Sequence, residues 1–276
     1  MTQAERKPEP TRPKRVHSPY CSVPVRGTIA TPGGEEVPIL WQVPEEVPVG
    51  FVYNKRPHAV MMATPADLED FAVGFSVAED VIDGASAILS VKVEELDAGI
   101  KLCIAADPTR MSKGRKAKRT IEGRSGCGLC GIEQLENAVR TPRPVSDVGQ
   151  SIDSKAITAA FSALRDHQPM NRVNKSVHAA AFCDREGKIL FAREDVGRHN
   201  ALDKLIGAIL RQKLDPTAGF VIMSSRCSFE LVSKAASIGI PLLATISAPT
   251  ALALDLARQA GMRLGARTPD GVAIFQ

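Results

Sequence analysis

A layered α/β domain with a largely parallel or mixed sheet, preceded by a smaller α+β domain, is the fold class this sequence predicts. Three observations carry that expectation. From Ser154 onward, helix-spaced apolar patterns alternate with short continuous apolar runs, as expected of strands buried between helices. Between Val23 and Met62 the chain shows short β-branched runs broken by Pro and Gly, which read as strands. Between these halves lies a glycine-rich loop carrying Cys127 and Cys130 behind a run of basic residues.

The first half justifies the smaller domain. Residues 1–19 are polar, basic and proline-rich and lack the apolar content to fold. Strands follow at 23–29, 37–43, 49–53 and 59–62. Thr64-Pro65-Ala66-Asp67 then reads as a helix start, with Thr64 as cap, Pro65 in the first turn and Asp67 at the positive end. Leu68, Phe71, Ala72, Phe75 and Val81 continue at helical spacing to about residue 82. Residues 88–96 and 100–105 read as a hairpin around Asp97-Ala98-Gly99.

The loop from 107 to 126 carries Arg110, Lys113, Arg115, Lys116, Lys118, Arg119 and Arg124, opposed locally by Glu122. Such a run is usually a solvated loop, but beside two cysteines it also favours an anionic visitor. A helix over 132–139 begins just after Cys130. Its first amides would face the cysteines and favour thiolate. Thr141-Pro142-Arg143-Pro144 closes the segment as a linker.

In the second half, helices are expected at 155–164, 200–212, 229–238 and 249–260. Strands are expected at 177–183, 189–192, 220–223, 242–246, 263–265 and 272–275. The resulting division is a basic tail at 1–22, an α+β domain at 23–125, a C-x-x-C loop with helix and linker at 126–145, and a cofactor-binding domain at 146–276.

Composition bounds the rest. The 276 residues suffice for one large domain or two smaller ones. Hydrophobic content of 44% supports a core, which aliphatic residues must fill because aromatics are only 4%. No run approaches the roughly 18 apolar residues of a membrane span. The N-terminus has no apolar stretch behind its basic residues, unlike a secretory signal. A cytoplasmic protein with no membrane or nucleic-acid partner is expected. In that compartment Cys21, Cys103, Cys183 and Cys227 read as free thiols, Cys227 as a core or turn cysteine.

Open α/β sheets bind ligands beyond the carboxyl ends of their strands. Three strand-to-helix turns fall there: Glu194-Asp195-Val196-Gly197-Arg198-His199-Asn200, Ser224-Ser225-Arg226-Cys227-Ser228 and Ser247-Ala248-Pro249-Thr250. Any one of them reads first as ordinary helix capping. Together, with two arginines and a histidine, they read as a site for a phosphorylated or nucleotide-like molecule.

His178-Ala179-Ala180 followed by a strand and turn bearing Cys227 resembles the layout of zinc-dependent nucleobase deaminases. That chemistry needs three zinc ligands and a glutamate. Here Ala180 stands at the glutamate's place and only Cys227 is near the second motif. Such a site cannot run deamination, and no zinc or other metal is expected. His178 reads equally as a core histidine. For Cys127 and Cys130 three readings stand open: half a zinc site, a cycling dithiol, or a mobile persulfide carrier.

Gly126-Cys127-Gly128-Leu129-Cys130-Gly131, the block from Glu194 through Asn200 to Ala201-Leu202-Asp203-Lys204, and Ser224-Ser225-Arg226 together resemble the formate dehydrogenase accessory sulfurtransferase family (FdhD). The resemblance covers the chain from Val23 onward. It implies a sulfurtransferase that takes sulfur from a cysteine desulfurase as a persulfide. The sulfur would pass to molybdenum bis(molybdopterin guanine dinucleotide), bound as substrate, before insertion into the formate dehydrogenase apoenzyme.

The resemblance further implies a cytidine-deaminase-like C-terminal domain and a homodimer. It makes Cys127 the persulfide-bearing residue and Cys130 its partner or second carrier. It puts cofactor binding on Ala266, Arg267, Thr268, Pro269, Asp270 and Gly271. To these we add, from the turns, His178, Arg198, His199, Ser225 and Arg226. Where the family usually has Thr-Gly before the histidine, this chain has Asn174-Lys175-Ser176-Val177, and where it usually has Phe after Gly265, Ala266 stands. A cofactor-delivering chaperone without sulfur chemistry is the alternative.

Overall fold

A computed structural model describes residues 20–112, 141–146 and 152–275 of the chain. Cys127, Cys130, the basic run from Lys113 onward, the helix expected over 132–139 and the tail at 1–19 lie outside the described residues. Arg110, the first residue of that run, is ion-paired with Asp83 at 2.7 Å.

Three sheets organise the described chain. The first is a ribbon of β1 (Ser22–Ala30) and β2 (Glu36–Pro44), paired antiparallel along its whole length. Cys21 and Ser22, left in the tail by the sequence reading, are buried at its base. The second sheet has the order β4-β3-β6-β5, from β3 (Val47–Tyr53), β4 (Arg56–Ala63), β5 (Ile88–Leu96) and β6 (Gly99–Ala106). Helix α1 (Leu68–Ala78) covers one face of it. Phe51, Phe71 and Phe75 form the centre of that core, Phe51 stacking on Phe75 at 4.2 Å between ring centroids.

The third sheet has the order β12-β11-β10-β9-β7-β8. Its strands are β7 (His178–Asp184), β8 (Ile189–Asp195), β9 (Gly219–Met223), β10 (Leu242–Thr245), β11 (Arg263–Thr268) and β12 (Gly271–Phe275). β9, β10 and β11 run parallel, and β7 and β12 run antiparallel to their neighbours. Period-two alternation sends side chains to both faces. Ala180, Phe182, Val221 and Leu243 pack beneath α4 (Arg198–Arg211), α5 (Phe229–Ser237) and α6 (Ala251–Ala260). Ala181, Cys183, Phe220 and Ile222 meet α2 (Ser154–Ala163) on the other side. The result is a mixed α/β layer structure, as the alternation after Ser154 predicts. A short helix, α3 (Pro169–Asn174), precedes β7 and was not foreseen.

The two larger sheets are joined through α1 and α4. A Cβ on Gly74 would lie 1.7 Å from the Asp203 carbonyl oxygen, and one on Gly207 would lie 1.8 Å from that of Asp70. Only glycine permits this approach of backbone to backbone. Lys234 then ties α5 to α4 and α1, donating to both Asp203 carboxylate oxygens at 2.8 Å and to Glu79 at 2.9 Å. The Asp203 carboxyl is pushed up to about 6 by burial, against the pull of Lys234. The two-oxygen contact nevertheless identifies the pair as ionised, and Lys234 is correspondingly held above its ordinary value.

The expected cap at Thr64 is not observed. Helix α1 starts at Leu68, with Asp67 before it in a left-handed conformation and no side-chain cap. Thr64 is buried and bonded instead to the Glu194–Lys204 block, as described below. The helix ends at Ala78, short of the expected residue 82.

Candidate functional site

All the turns flagged as ligand-binding fall on one edge of the six-stranded sheet. The edge is defined by the carboxyl ends of β9, β10 and β11, where Met223 pairs with Thr245 and Thr245 with Ala266. β7 runs the opposite way, so its first residue, His178, lies on the same edge and pairs with Asp195 at the end of β8. The 178 and 224 segments are stitched together there. Ser224 N donates to the Ala179 carbonyl at 3.0 Å, and Ala179 N donates to Ser224 Oγ at 2.8 Å.

The Glu194–Lys204 block divides into residues that hold the fold and residues that do not. Glu194 accepts from the amides of Met170 and Asn171, both at 2.9 Å, and so binds the start of α3. Asp195 is fully buried and saturated. Its Oδ1 accepts from Gly197 N at 2.8 Å and Asn200 Nδ2 at 3.0 Å, and its Oδ2 accepts from Thr64 N at 3.0 Å. Lys204 Nζ lies 2.7 Å from Oδ2, donates to the Thr64 carbonyl at 2.9 Å and sits over the Phe71 ring. Asp195, Asn200 and Lys204, with Asp203, are committed to joining the two larger sheets.

Arg198 and His199 are not so committed. Among the described residues, Arg198 Nε and both ring nitrogens of His199 are buried without a hydrogen-bond partner. The nearest acid, Glu230, lies 3.9 Å from His199 Nε2, beyond hydrogen-bond range. Burial holds His199 below its ordinary value. Burial likewise lowers His178, assisted by Arg198, His199 and Arg226. Arg198, His199 and Arg226 therefore lie near enough to His178 to act on its charge.

The three turns differ in how their helices are capped. In the 247–250 turn, Thr250 Oγ1 accepts from Ala253 N at 3.2 Å and caps α6, so the plain reading holds there. Helices α4 and α5 have Gly197 and Ser228 at their caps, with no side-chain cap bond. Ser228 Oγ is buried and unpartnered. The N-terminus of α4 thus faces the edge with no acidic residue in its first turn, whereas α5 carries Glu230 in its own. Ser225 is buried and donates to the Arg226 carbonyl at 3.0 Å, while the Arg226 side chain is exposed.

Residues 266–271 span the end of β11, the Pro269-Asp270 turn and the first residue of β12. Ala266 is buried, Arg267, Pro269 and Asp270 are exposed, and Thr268 and Gly271 are half-buried. Three strand spacings separate β11 from β7, on the order of 14 Å. This turn and His178 therefore cannot grip the same group. They can hold opposite ends of an extended molecule.

Cys227 belongs to the core. It is 1% exposed, and burial pushes its thiol up to about 12, so it is protonated and a poor nucleophile. Cys21 and Cys183 are similarly raised, to about 11 and about 12. Among the described residues no three His, Cys, Asp or Glu side chains are placed to hold a metal ion. Glu230 was not singled out from sequence, and Ser228 entered only as the last residue of the 224–228 turn; their position in the first turn and cap of α5 resembles ordinary capping chemistry.

The FdhD/NarQ family model matches residues 44–275. The chain belongs to this family. Among relatives, a protein of Xanthomonas euvesicatoria pv. vesicatoria named "Sulfur carrier protein FdhD" is 48% identical over 84% of this chain and 82% of its own. One of the same name from Agrobacterium fabrum is 47% identical over 80% of this chain and 82% of its own. A crystal structure from Desulfotalea psychrophila, described as a formate dehydrogenase accessory protein, superposes with a TM-score of 0.73 at 26% identity. It covers 93% of this chain and 97% of its own. FdhD/NarQ membership agrees with the family resemblance read from the motifs.

Proposed function

We propose that this protein is a sulfurtransferase serving formate dehydrogenase. It carries persulfide sulfur on Cys127 from a cysteine desulfurase to molybdenum bis(molybdopterin guanine dinucleotide), its bound substrate. The observation that carries this reading is the 48% identity, over most of both chains, to a protein named as a sulfur carrier. The sheet edge supports the second half of it. The N-terminus of α4, which has neither a side-chain cap nor an acid in its first turn, Arg198 with its buried Nε, and the exposed Arg226 suit phosphates. The span to residues 266–271 suits a dinucleotide.

In the first step the Cys127 thiolate attacks the outer sulfur of the donor persulfide. The S–S bond breaks, the donor thiolate leaves, and the sulfane sulfur stays on Cys127. Cys130 acts as its partner or as a second carrier. In the second step the Cys127 S–S bond breaks as the Cys130 thiolate attacks the Cys127 sulfur, leaving a Cys127–Cys130 disulfide, and the sulfur passes at the sulfide level to the cofactor held along the edge. The six-stranded sheet with His178 at its edge serves as a cytidine-deaminase-like scaffold without zinc chemistry, since Ala180 stands at the glutamate's place. The protein acts in the cytoplasm and as a homodimer.

The test is reconstitution. Apo formate dehydrogenase is matured with a desulfurase, cysteine, cofactor and this protein, and its activity is measured. Wild type restores activity and Cys127→Ala does not. Full activation by Cys127→Ala and by Cys130→Ala would replace the sulfurtransferase by the chaperone alternative.

A further inference from the structure

Among the described residues, the β1–β2 ribbon has one apolar face that is largely uncovered beyond its base. In an antiparallel pair, directly opposed residues share a face and alternate along the strand. The register places Val23 with Val43, Val25 with Trp41, Gly27 with Ile39, and Ile29 with Val37 on one face. The opposite face carries Pro24 with Gln42, Arg26 with Leu40, Thr28 with Pro38, and Ala30 with Glu36. The first face contains no charged or polar side chain. Val23, Val25, Ile29, Val37 and Trp41 on it are 41–48% exposed.

The ribbon is anchored at one end. Glu45 N donates to the Cys21 carbonyl at 2.7 Å, and Asn174 Nδ2 donates to Ser22 Oγ at 3.0 Å. Cys21 packs with Met170 and Val177 there. Beyond that base the ribbon runs nine residues per strand to the turn at Thr31–Glu35. A two-stranded sheet with an uncovered apolar face is marginal in water.

We propose that this face is where two copies of the chain meet, ribbon packed on ribbon. The inference rests on the homodimer reading above and gives it a location. Three features favour a second copy. The face is free of charge, so copy meets copy without like-charge repulsion, and an isologous contact requires such self-complementarity. Pro24, Pro38 and Pro44 remove amide donors from the two strands. The open edges are therefore poor templates for strand addition, and face-to-face packing is the remaining way to cover the apolar residues. The face is about 30 Å long and about 10 Å wide, and two such layers pack about 10 Å apart as in a sandwich. That plan area, about 300 Å², is under half of the ~800 Å² per partner that stable interfaces bury, so the contact extends onto flanking surface.

Trp41 is the chain's sole tryptophan and lies on this face, so its emission reports the contact directly. The experiment follows mass by sedimentation and Trp41 emission over a dilution series of the full chain. The proposal expects a dimer whose dissociation and red shift of emission coincide. Val25→Lys and Val37→Lys shift dissociation to at least tenfold higher concentration. Leu40→Lys, a change of similar size on the opposite face, leaves it unchanged. Circular dichroism shows whether each variant is folded. If the Lys variants do not fold, Val25→Thr, which keeps the β-branch, serves in their place and weakens the dimer in the same direction. A dimer that persists unchanged in the folded variants overturns the ribbon as interface and leaves the homodimer reading standing. A wild-type monomer at every concentration overturns both. Emission already buried in a monomer also overturns the proposal, because the chain then covers the face itself.

Discussion

The joint between α1 and α4 and the edge of the six-stranded sheet draw on the same short stretch of sequence and use it differently. At the joint, Asp195, Asp203 and Lys204 have partners for their charges: four contacts at Asp195, Lys234 at Asp203, and a carbonyl, a carboxylate and a ring at Lys204. Asn200 donates to Asp195 and to the Met62 carbonyl, while its Oδ1 has no partner among the described residues. One turn away, Arg198 and His199 keep buried nitrogens without partners. Satisfied buried charge locks a geometry, and removing one member leaves the other stranded. Unsatisfied buried donors cost stability in the free protein, and a bound anion recovers that cost. The contrast separates residues that hold the two larger sheets together from residues whose buried nitrogens are free to meet the proposed ligand.

The largest expected effect lies at the joint. Lys204→Met strands the Asp195 carboxylate and lowers unfolding free energy by about 3–5 kcal/mol, read by denaturant melts. A loss below about 1 kcal/mol would show that the pair is not the keystone described. Next, Gly74→Ala puts a Cβ into the Asp203 carbonyl and forces α1 from α4, at about 1–3 kcal/mol.

Effects at the edge run the other way. Arg226→Ala, at an exposed side chain, changes stability by less than about 0.5 kcal/mol. It weakens guanine-nucleotide binding by about tenfold or more, measured by calorimetry. Equal binding by wild type and variant would remove Arg226 from the site.

A smaller effect concerns pH. His178 and His199 are held below their ordinary 6.5 in the fold. As pH falls through that value the unfolded chain takes up protons first, so stability drops. Thermal melts should show this slope between pH 7 and 5, reduced in His199→Gln. A rise in stability on acidification across that window would contradict the burial account.

Much of the fold was legible because short apolar runs bounded by Gly and Pro mark strands, and helical spacing marks α1, α2 and α4 to α6. What failed was non-local. Thr64 has the chemistry of a helix cap, yet Asp195 and Lys204, 131 and 140 residues away, hold its amide and carbonyl. No local pattern reveals that claim. The turn residues were legible as a group, but Asp195 and Arg198 look equally ligand-like in sequence. Their different partners separate them. The 247–250 turn, by contrast, is ordinary capping through Thr250. Cys227 looked like a core cysteine and is one, at 1% exposure.

The account's central claim is that sulfur travels on Cys127 and not on a thiol of the folded core. Intact-mass and peptide analysis after incubation with a cysteine desulfurase and cysteine tests it directly. Wild type and Cys227→Ala should both gain about 32 Da on the peptide containing Cys127, and Cys127→Ala should gain nothing there. Full sulfur loading of Cys127→Ala, or loss of loading in Cys227→Ala alone, would contradict it.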